Sequence, residues 1–385
     1  MRLKLGKFAR GRPVNGLMLA FAFSLPYHVL RTATAAGVTV HVLGSGPSKG
    51  LRASRYCASY RNSGVDGNGP QDAERVLADI SALVRRHRIE LIFPSDDVST
   101  RLLAAIRSRL PVRTTLLPDV ATFDLLNNKD SFCRFARDQG ARVPETRLYA
   151  TLSDLKRDLR SGALSLPLTV KPTNRSGGVG VMHIRDRDEL AQLESVFYAP
   201  VLAQRFIAGK TIGLSVMCRD GRILMHAAQW YDHRRFTLFD SPDLLANAER
   251  VVSAARLDGP AHFDAILEDA TGLAHLVECN PRFWFSMYMP GFVGLNFFAA
   301  ACDQEAQESL PPITLTSADI NRNARVLLAR PWRGKAPDWR YLAYQLSDPA
   351  AFLLQRAKAF DDRDVAVELR GVAPEAIDFA ASRVA

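Results

Sequence analysis

The sequence has few of the features that mark secreted, zinc-binding or membrane-spanning proteins. Its 385 residues include only five cysteines, an odd number, scattered without a Cys-x-x-Cys pair. This usage argues against a disulfide framework and a zinc site, and it indicates a reducing compartment. No segment approaches the roughly 18 consecutive apolar residues of a membrane-spanning helix. We therefore expect a cytoplasmic protein without a transmembrane segment.

The N-terminus imitates a secretion signal without completing one. Basic residues up to Arg12 precede a short apolar run at 17–23, but a helix-like stretch and a second apolar strand at 38–43 follow. This order of strand, helix and strand predicts that the first run is a core strand rather than a cleaved signal peptide.

Low-complexity tracts and internal repeats are also missing, so we expect a globular protein, and its length predicts two or three domains. The formal net charge is +10 and is spread along the chain. Because no stripe of basic residues alternates with aromatic ones, this charge favours anionic small-molecule substrates over nucleic acid. A homo-oligomeric assembly is compatible with the sequence.

The first third of the chain alternates short apolar strands with helical stretches, which is the pattern of a small parallel sheet. The predicted strands cover 16–23, 38–43 and 91–94, and the predicted helices cover 26–36, 71–86 and 98–109. Ligands of such sheets bind beyond the carboxyl ends of the strands.

Two of these strand ends are polar. Gly44-Ser45-Gly46 is a weak signal, because glycines at strand ends are often plain turns. Asp96 and Asp97 follow the third strand. One of them is expected to cap the helix that begins at Val98, and the other is predicted to bind the cationic amine of a substrate.

A β-hairpin carries the chemically most informative residues. Its strands are predicted at 262–268 and 276–282, with a turn between them. Because side chains alternate faces along a strand, Glu278 and Asn280 point the same way, and Asp264 can be carried to that face. Two carboxylates and an amide oxygen suit Mg²⁺. A surface hairpin with solvated acids is the alternative.

An acid on one strand followed by Glu-x-Asn-Pro-Arg on the next resembles the metal-binding hairpin of the ATP-grasp superfamily. The longer run Glu-Cys-Asn-Pro-Arg-Phe-Trp at 278–284 is similar to the carboxylate–amine ligase branch related to the large subunit of carbamoyl-phosphate synthase. The resemblance extends from about residue 16 to about residue 300. It implies an α/β protein in which a small N-terminal parallel-sheet (pre-ATP-grasp) domain precedes two α+β lobes that hold ATP. It also implies an enzyme that uses ATP to join a carboxylate to an amine.

The resemblance also indicates which residues hold the phosphates of ATP. Lys129 lies among the residues that cap a helix predicted at 131–139, and Lys171 ends an apolar strand. A glycine-rich loop lets backbone N–H groups approach phosphate oxygens, and a lysine adds charge. The loop consists of Ser176, Gly177, Gly178, Val179 and Gly180. A capped surface helix without a phosphate role is the alternative for Lys129.

The segment 201–209 is similar to the hinge strand of the superfamily, whose backbone pairs with the edge of adenine. Two departures affect this part of the site. Many relatives carry a glutamate where this chain has Arg205, and the acid expected to bind ribose is replaced by Lys210 and Thr211. The implied adenine-binding residues are Gln204, Arg205, Phe206 and Ile207.

Two arginines complete the implied catalytic set. Arg282 follows the metal hairpin, and Arg235 lies in a segment that resembles an arginine-bearing part of the same branch. Arginine suits bidentate binding of a carboxylate or an acyl phosphate. A basic exposed strand explains Arg235 equally well. The cofactors implied are ATP and Mg²⁺, with two metal ions expected and Mn²⁺ able to replace them.

Beyond residue 310 the sequence changes character. A basic, aromatic segment with a helix-like stretch at 339–360 is either an amphipathic membrane-surface element or a helix that covers the catalytic domain. The predicted division is an N-terminal domain at 1–120, a small lobe at 121–205, a metal-binding lobe at 206–312 and a tail at 313–385.

These observations predict an ATP- and Mg²⁺-dependent ligase that acts on small carboxylates and amines through an acyl phosphate and releases ADP and phosphate. A nucleotide-binding regulator or scaffold protein on the same fold is the main alternative. A basic module that binds nucleic acid or a membrane surface is a second alternative, supported only by the charge.

Overall fold

A computed structural model describes residues 13–65, 70–175, 178–231, 235–302, 317–321 and 339–357. These residues form three sheets, one parallel and two antiparallel, so the predicted α/β class is confirmed. Within these ranges no helix combines the length and the apolar character needed to cross a membrane. All five cysteines are free thiols.

The N-terminal domain is built on a parallel sheet in the order β3-β2-β1-β4. The alternation of strands and helices is as predicted, and β3 is an addition that the sequence pattern did not indicate. The elements are β1 (Val14–Ala20), α1 (Ser24–Ala35), β2 (Val38–Gly44), β3 (Cys57–Asn62), α2 (Pro70–His87), β4 (Leu91–Pro94) and α3 (Asp97–Ile106).

Both faces of this sheet are covered, which explains why β1 is apolar at nearly every position. Met18 and Ala20 point into a core shared with α1, whereas Leu17 and Leu19 point into a core shared with α2 and α3. Residues 17–20 of the run that imitates a signal peptide therefore belong to one of the two central strands of a buried sheet.

The middle of the chain forms two helices and a small lobe with an antiparallel sheet in the order β5-β8-β6-β7. The elements are α4 (Val120–Asn127), α5 (Lys129–Asp138), β5 (Thr146–Tyr149), α6 (Leu152–Ser161), β6 (Leu168–Lys171), β7 (Met182–Ile184) and β8 (Val201–Arg205). The domain prediction assigned α5 to the small lobe, but its apolar side chains, such as Phe132, pack on the large sheet described next.

The large sheet is antiparallel in the order β13-β12-β9-β10-β11-β14. Its last strand falls within the segment predicted as a tail. The elements are β9 (Gly209–Arg219), β10 (Arg222–Tyr231), β11 (Arg235–Phe239), α7 (Pro242–Ala254), β12 (Gly259–Glu268), β13 (Ala274–Asn280), α8 (Phe297–Cys302) and β14 (Ser317–Asn321).

Alternation along β9 and β12 separates the two faces of the large sheet. Leu214, Val216 and Phe263 point towards α5 and α7 and form one core. Met217 points the other way, into a core that includes the N-terminal domain and the segment 283–302. The candidate site lies on this second face.

Two C-terminal helices, α9 (Trp339–Leu346) and α10 (Pro349–Arg356), pack on the N-terminal domain. Asp348 lies between them and is 1% exposed. Its carboxylate accepts hydrogen bonds from Ser54 Oγ at 2.5 Å and from Arg55 N at 3.0 Å. The described part of the tail thus packs on the N-terminal domain, and both alternatives for the tail stay predictions.

We predict that Asp348→Ala lowers the free energy of unfolding by about 1–3 kcal/mol, because it leaves two donors without their acceptor beneath the helix pair. Urea denaturation followed by circular dichroism measures the change. Asp138→Ala, at an acid whose side chain is 65% exposed, is the matched control and should change stability by less than about 0.5 kcal/mol. Equal stability of the two variants would contradict the docking role of Asp348.

Candidate functional site

The hairpin of β12 and β13 brings its polar side chains to one face. Asp264 lies directly opposite Glu278, and His262 lies opposite Asn280. The pairing shifts by one residue only after Asp264, so regular pairing holds from His262 to Asp264 and places the two acids opposite each other. The structure therefore brings together the three residues that the sequence predicts as metal ligands.

A continuous line of polar contacts runs from this hairpin to the N-terminal domain. Glu278 Oε1 accepts a hydrogen bond from Asn280 Nδ2 at 3.0 Å, and Asn280 Oδ1 accepts one from Arg282 Nη2 at 3.0 Å. Arg282 Nε lies 2.8 Å from Asp97 Oδ1, a close ion pair rather than a well-aligned hydrogen bond. The line thus runs from an acid through a neutral amide to a guanidinium, and from there to a second acid.

Lys129 is the first residue of α5, and its side chain extends to the hairpin. Its Nζ lies 3.0 Å from Glu278 Oε2 and donates to the carbonyl of Arg175 at 2.5 Å. The helix begins here because the side chain of Asn128 accepts hydrogen bonds from Asp130 N and Ser131 N. The helix cap and the contact with Glu278 are therefore both present, and the cap does not exclude the predicted role of the lysine.

Lys171, the last residue of β6, approaches from the small lobe. It is 5% exposed, and its Nζ donates to the carbonyl of Val277 at 3.1 Å. Burial lowers the pKa of Lys171 to about 8. Two lysines from different elements thus converge on β13.

The described part of the glycine-rich loop is 178–180, whereas Ser176 and Gly177 lie outside the described residues. Gly178 and Gly180 have φ of +75° and +77°, which only glycine adopts readily. A Cβ on Gly180 would also lie 2.9 Å from the ring of Tyr198, whose hydroxyl donates to the Gly180 carbonyl at 2.6 Å. Val179 lies between the two glycines.

The predicted adenine-binding residues lie at the end of β8. Gln204 is buried and donates from Nε2 to Thr146 Oγ1 at 2.9 Å, and Arg205 forms an ion pair with Glu268 at 3.3 Å. The backbone N–H groups of Arg205 and Phe206 donate to carbonyls of neighbouring segments. A nucleobase that accepts a backbone hydrogen bond here must therefore use an N–H group beyond Phe206, such as that of Ile207.

The positions where an acid is expected to bind ribose are exposed. Lys210 Nζ lies 3.2 Å from the centre of the Trp230 ring, a cation–π contact, and Thr211 follows it on the surface. The departure seen in the sequence is thus retained in the structure.

The two aspartates after β4 have different roles. Asp96 is the N-cap of α3, which begins at Asp97 and not at Val98 as predicted. Its buried carboxylate accepts hydrogen bonds from the backbone of Phe21 at 2.6 Å, Ala22 at 3.0 Å and Ser99 at 2.8 Å. Asp96 is thus committed to the fold, and only Asp97 faces the site, through Arg282.

Arg235 does not lie with the other predicted catalytic residues. It begins β11, and three strands separate β11 from β13. With neighbouring strands ~4.8 Å apart, the two lie roughly 19 Å apart, farther than one arginine side chain spans. The structure does not bring Arg235 to the cluster, and its catalytic role stays a prediction.

Sequence reasoning missed the surroundings of Asp264. His262 Nε2 lies 3.4 Å from Asp264 Oδ1, and its Nδ1 lies 3.1 Å from Ser215 Oγ. The indole of Trp284 stacks on the imidazole, with centroids 5.6 Å apart and an interplanar angle of 15°. The two-residue spacing of His262 and Asp264 could have indicated a shared face, but Ser215 has no such local signal.

Opposite charges in the cluster stabilise the charged forms of Asp264 and Arg282. Partial burial alone would raise the pKa of Asp264. Contacts with His262 and Glu278 and the charge of Lys129 outweigh this effect, and the pKa of Asp264 lies below its ordinary value. Burial likewise opposes the charged form of Arg282, and Asp97 raises its pKa in compensation. The contacts around Asp264 therefore favour its ionised form, which is the form that binds a cation.

The donor set fits a hard divalent cation. No three Asp, Glu, His or Cys side chains form a metal site within the part of the chain that the structure describes. The hairpin instead offers two carboxylates and one amide oxygen, and oxygen ligands are those that Mg²⁺ prefers.

Comparison with solved structures identifies the architecture. The chain is similar to the L-amino acid ligase from Bacillus licheniformis, with a TM-score of 0.56 and 18% identity over 80% of this chain and 79% of that one. It is also similar to biotin carboxylase from Campylobacter jejuni, with a TM-score of 0.59 and 15% identity over 79% and 74%. The chain has the ATP-grasp fold.

Sequence comparison agrees with the ATP-grasp fold over a shorter stretch. A D-alanine–D-alanine ligase from Sodalis glossinidius is 27% identical over 148 residues, which are 37% of this chain and 40% of that protein. One from Bacillus anthracis is 32% identical over 108 residues, which are 26% and 34%. The matches thus span less than half of these relatives. No family model matches the chain.

We predict that Asp96→Ala destabilises the protein by more than Asp119→Ala, each measured by urea denaturation. Asp119 is an N-cap too, but its carboxylate accepts from Thr122 N alone on an exposed surface. Loss of a cap costs about 0.5–2 kcal/mol, and two further backbone donors lose their acceptor only at Asp96. An equal or smaller loss at Asp96 would return it to the list of substrate-binding candidates.

Proposed function

We propose that this protein is an ATP- and Mg²⁺-dependent ligase that joins a carboxylate to an amine through an acyl phosphate, releasing ADP and phosphate. The observation that carries this proposal is the convergence of Lys129, Lys171 and Arg282 on the hairpin of Asp264 and Glu278. Cations and acids placed together in this way suit a nucleotide triphosphate held with a divalent metal.

The phosphates would be held by the two lysines and by the glycine-rich loop. Lys129 already contacts the carbonyl of Arg175, next to the start of the loop, so the loop and the metal hairpin meet at one ammonium group. A lysine provides a point charge for a phosphate, and the positive φ of Gly178 and Gly180 keeps the backbone open to it.

Asp264, Glu278 and Asn280 would hold Mg²⁺, which neutralises the phosphate charge and orients the transferred group. Two ions, and Mn²⁺ in place of Mg²⁺, belong to the proposal. Asn280 would contribute Oδ1, which accepts one hydrogen bond from Arg282 and has a second lone pair for a cation.

In the proposed reaction, a substrate carboxylate attacks the γ-phosphorus, and the bond to the ADP oxygen breaks. The amine nitrogen then attacks the carbonyl carbon of the acyl phosphate, and phosphate leaves with one of the former carboxylate oxygens. Arg282 stabilises the negative charge that develops on the acyl group. Its ion pair with Asp97 keeps it in place.

Amino acids are the substrates that we propose first. The similar proteins include D-alanine–D-alanine ligases and an L-amino acid ligase, all named for joining amino acids. We also propose that the protein works in the cytoplasm, because its five cysteines are all free thiols and four of them are buried.

We predict that pairs of amino acids, screened with ATP and Mg²⁺, include one that gives ADP and a condensed product. Once the pair is found, ¹⁸O from the labelled carboxylate should appear in inorganic phosphate, as measured by mass spectrometry. Glu278→Gln, which removes a ligand charge but little volume, should lower turnover by at least about a hundredfold while the circular dichroism spectrum stays unchanged.

Three outcomes would contradict the proposal. AMP and pyrophosphate would indicate adenylation rather than an acyl phosphate. Wild-type turnover by a folded Glu278→Gln protein would remove the metal hairpin from the mechanism. Tight nucleotide binding without turnover across the screen would favour a nucleotide-binding regulator.

We further predict that Lys129→Met has opposite effects on metal and nucleotide. Its ammonium lies 3.0 Å from Glu278, where it competes with a cation, so the variant should bind Mn²⁺ several-fold more tightly without nucleotide. It should bind ATP at least about tenfold more weakly, because a charge-assisted phosphate contact is lost. Electron paramagnetic resonance of free Mn²⁺ and calorimetry measure the two affinities.

Lys171→Met is the matched control for this prediction. Lys171 donates to the Val277 carbonyl and not to a carboxylate. Its loss should therefore weaken ATP binding as Lys129→Met does. It should raise the affinity for Mn²⁺ by less than Lys129→Met does. Unchanged or weaker Mn²⁺ binding in Lys129→Met would show that the lysine does not compete with the metal.

A further inference from the structure

We propose that His262 is a positioning residue that fixes the carboxylate of Asp264 for metal binding, and that Gly213 is a glycine in order to admit the imidazole. The inference rests on the metal site of the proposed function. Its starting point is the line of contacts from Ser215 through His262 to Asp264, at 3.1 Å and 3.4 Å.

One hydrogen-bonding arrangement satisfies every group in this line. When the Ser215 hydroxyl donates to Nδ1, the ring proton lies on Nε2, which is 3.4 Å from Asp264 Oδ1. The second carboxylate oxygen then keeps both lone pairs for a cation. Neighbours that bond to a metal ligand commonly set its orientation in this way.

The imidazole is held from two sides. Trp284 stacks on one face, with the rings inclined by 15°. Gly213 lies in the adjacent strand, where it pairs with Asp264, and a Cβ there would lie 2.7 Å from His262 Cε1 and 2.8 Å from Nε2. Gly213 is not among the glycines with positive φ, so its backbone does not require glycine. Glycine is required because the imidazole ring occupies the space where a Cβ would lie.

The same three side chains do not form a nucleophilic triad. Ser215 is 0% exposed in the middle of the large sheet, so a substrate cannot reach its hydroxyl. A serine nucleophile has to lie open to the scissile group. The line therefore acts on Asp264, through which any effect of His262 on the reaction passes.

The test compares His262→Leu, His262→Gln and Gly213→Ala with the wild type. Mn²⁺ affinity is measured by electron paramagnetic resonance with a non-hydrolysable ATP analogue, and affinity for the analogue is measured separately in EDTA. We expect His262→Leu and Gly213→Ala to weaken Mn²⁺ binding by about 10–100-fold, with less than about threefold change in EDTA. His262→Gln, which retains a donor, should recover part of the loss.

Gly213→Ala is the informative variant, because the added methyl group contacts the imidazole and not a predicted ligand. Wild-type Mn²⁺ affinity in His262→Leu would overturn the inference. Parallel losses of Mn²⁺ and of the analogue in EDTA would also overturn it, because they would show that His262 only maintains the fold. If Gly213→Ala does not fold, the Leu and Gln variants decide by the same criteria.

Failure of the metal site in the proposed function gives a different result. Glu278→Gln would then bind Mn²⁺ as the wild type does, which places the metal elsewhere whatever the His262 variants show. If Glu278→Gln loses Mn²⁺ and His262→Leu does not, the metal site stands and only the positioning role is lost.

Discussion

The negative charge of the β12–β13 hairpin is the constraint on which the arrangement of the whole chain depends. Two carboxylates lie side by side on one sheet face, and acids so close are unfavourable unless cations accompany them. Lys129 comes from α5 and Lys171 from the small lobe, while Arg282 is held by Asp97 of the N-terminal domain. Apolar packing brings these parts together, but the hairpin determines which charged side chains must meet. A phosphate-bearing ligand with its metal would therefore replace contacts that already exist rather than enter an empty space.

Local periodicity explains how much of this site the sequence predicts. Glu278 and Asn280 share a face because strand side chains alternate, and Asp264 joins them through a hairpin whose turn is visible in the sequence. The same reasoning places the parallel sheet of the first third. It does not assign which of Asp96 and Asp97 caps α3, because the two are adjacent at the start of the helix, and the structure gives the cap to Asp96. Contacts between distant segments leave no periodic signal, which is why Ser215 and Trp284 were not predicted beside His262.

The C-terminal helices pack on the segment that follows the hairpin, and they thereby support the arrangement around the site. The ring of Tyr344 on α9 stacks on Tyr288 with centroids 4.7 Å apart, and the guanidinium of Arg31 lies 3.3 Å above the centre of the Tyr344 ring. Tyr288 belongs to the same segment as Trp284, which covers His262. Tyr344, an aromatic residue of the tail that suggested a membrane surface, thus packs against other parts of the protein. This packing supports the segment whose Trp284 stacks on His262 of the β12–β13 hairpin.

Concave shape alone would have led to a different part of the molecule. A cavity of about 770 Å³ opens on the small lobe beside α6, lined by Leu159, Leu164 and Leu190 with Lys156 and Arg187 at its edge. It includes none of the residues that converge on the hairpin. A large pocket is the default site in an enzyme because binding needs room and burial. The candidate site is marked instead by acids and cations that contact one another at the β12–β13 hairpin. It is therefore recognised by its charges and hydrogen bonds rather than by a cavity.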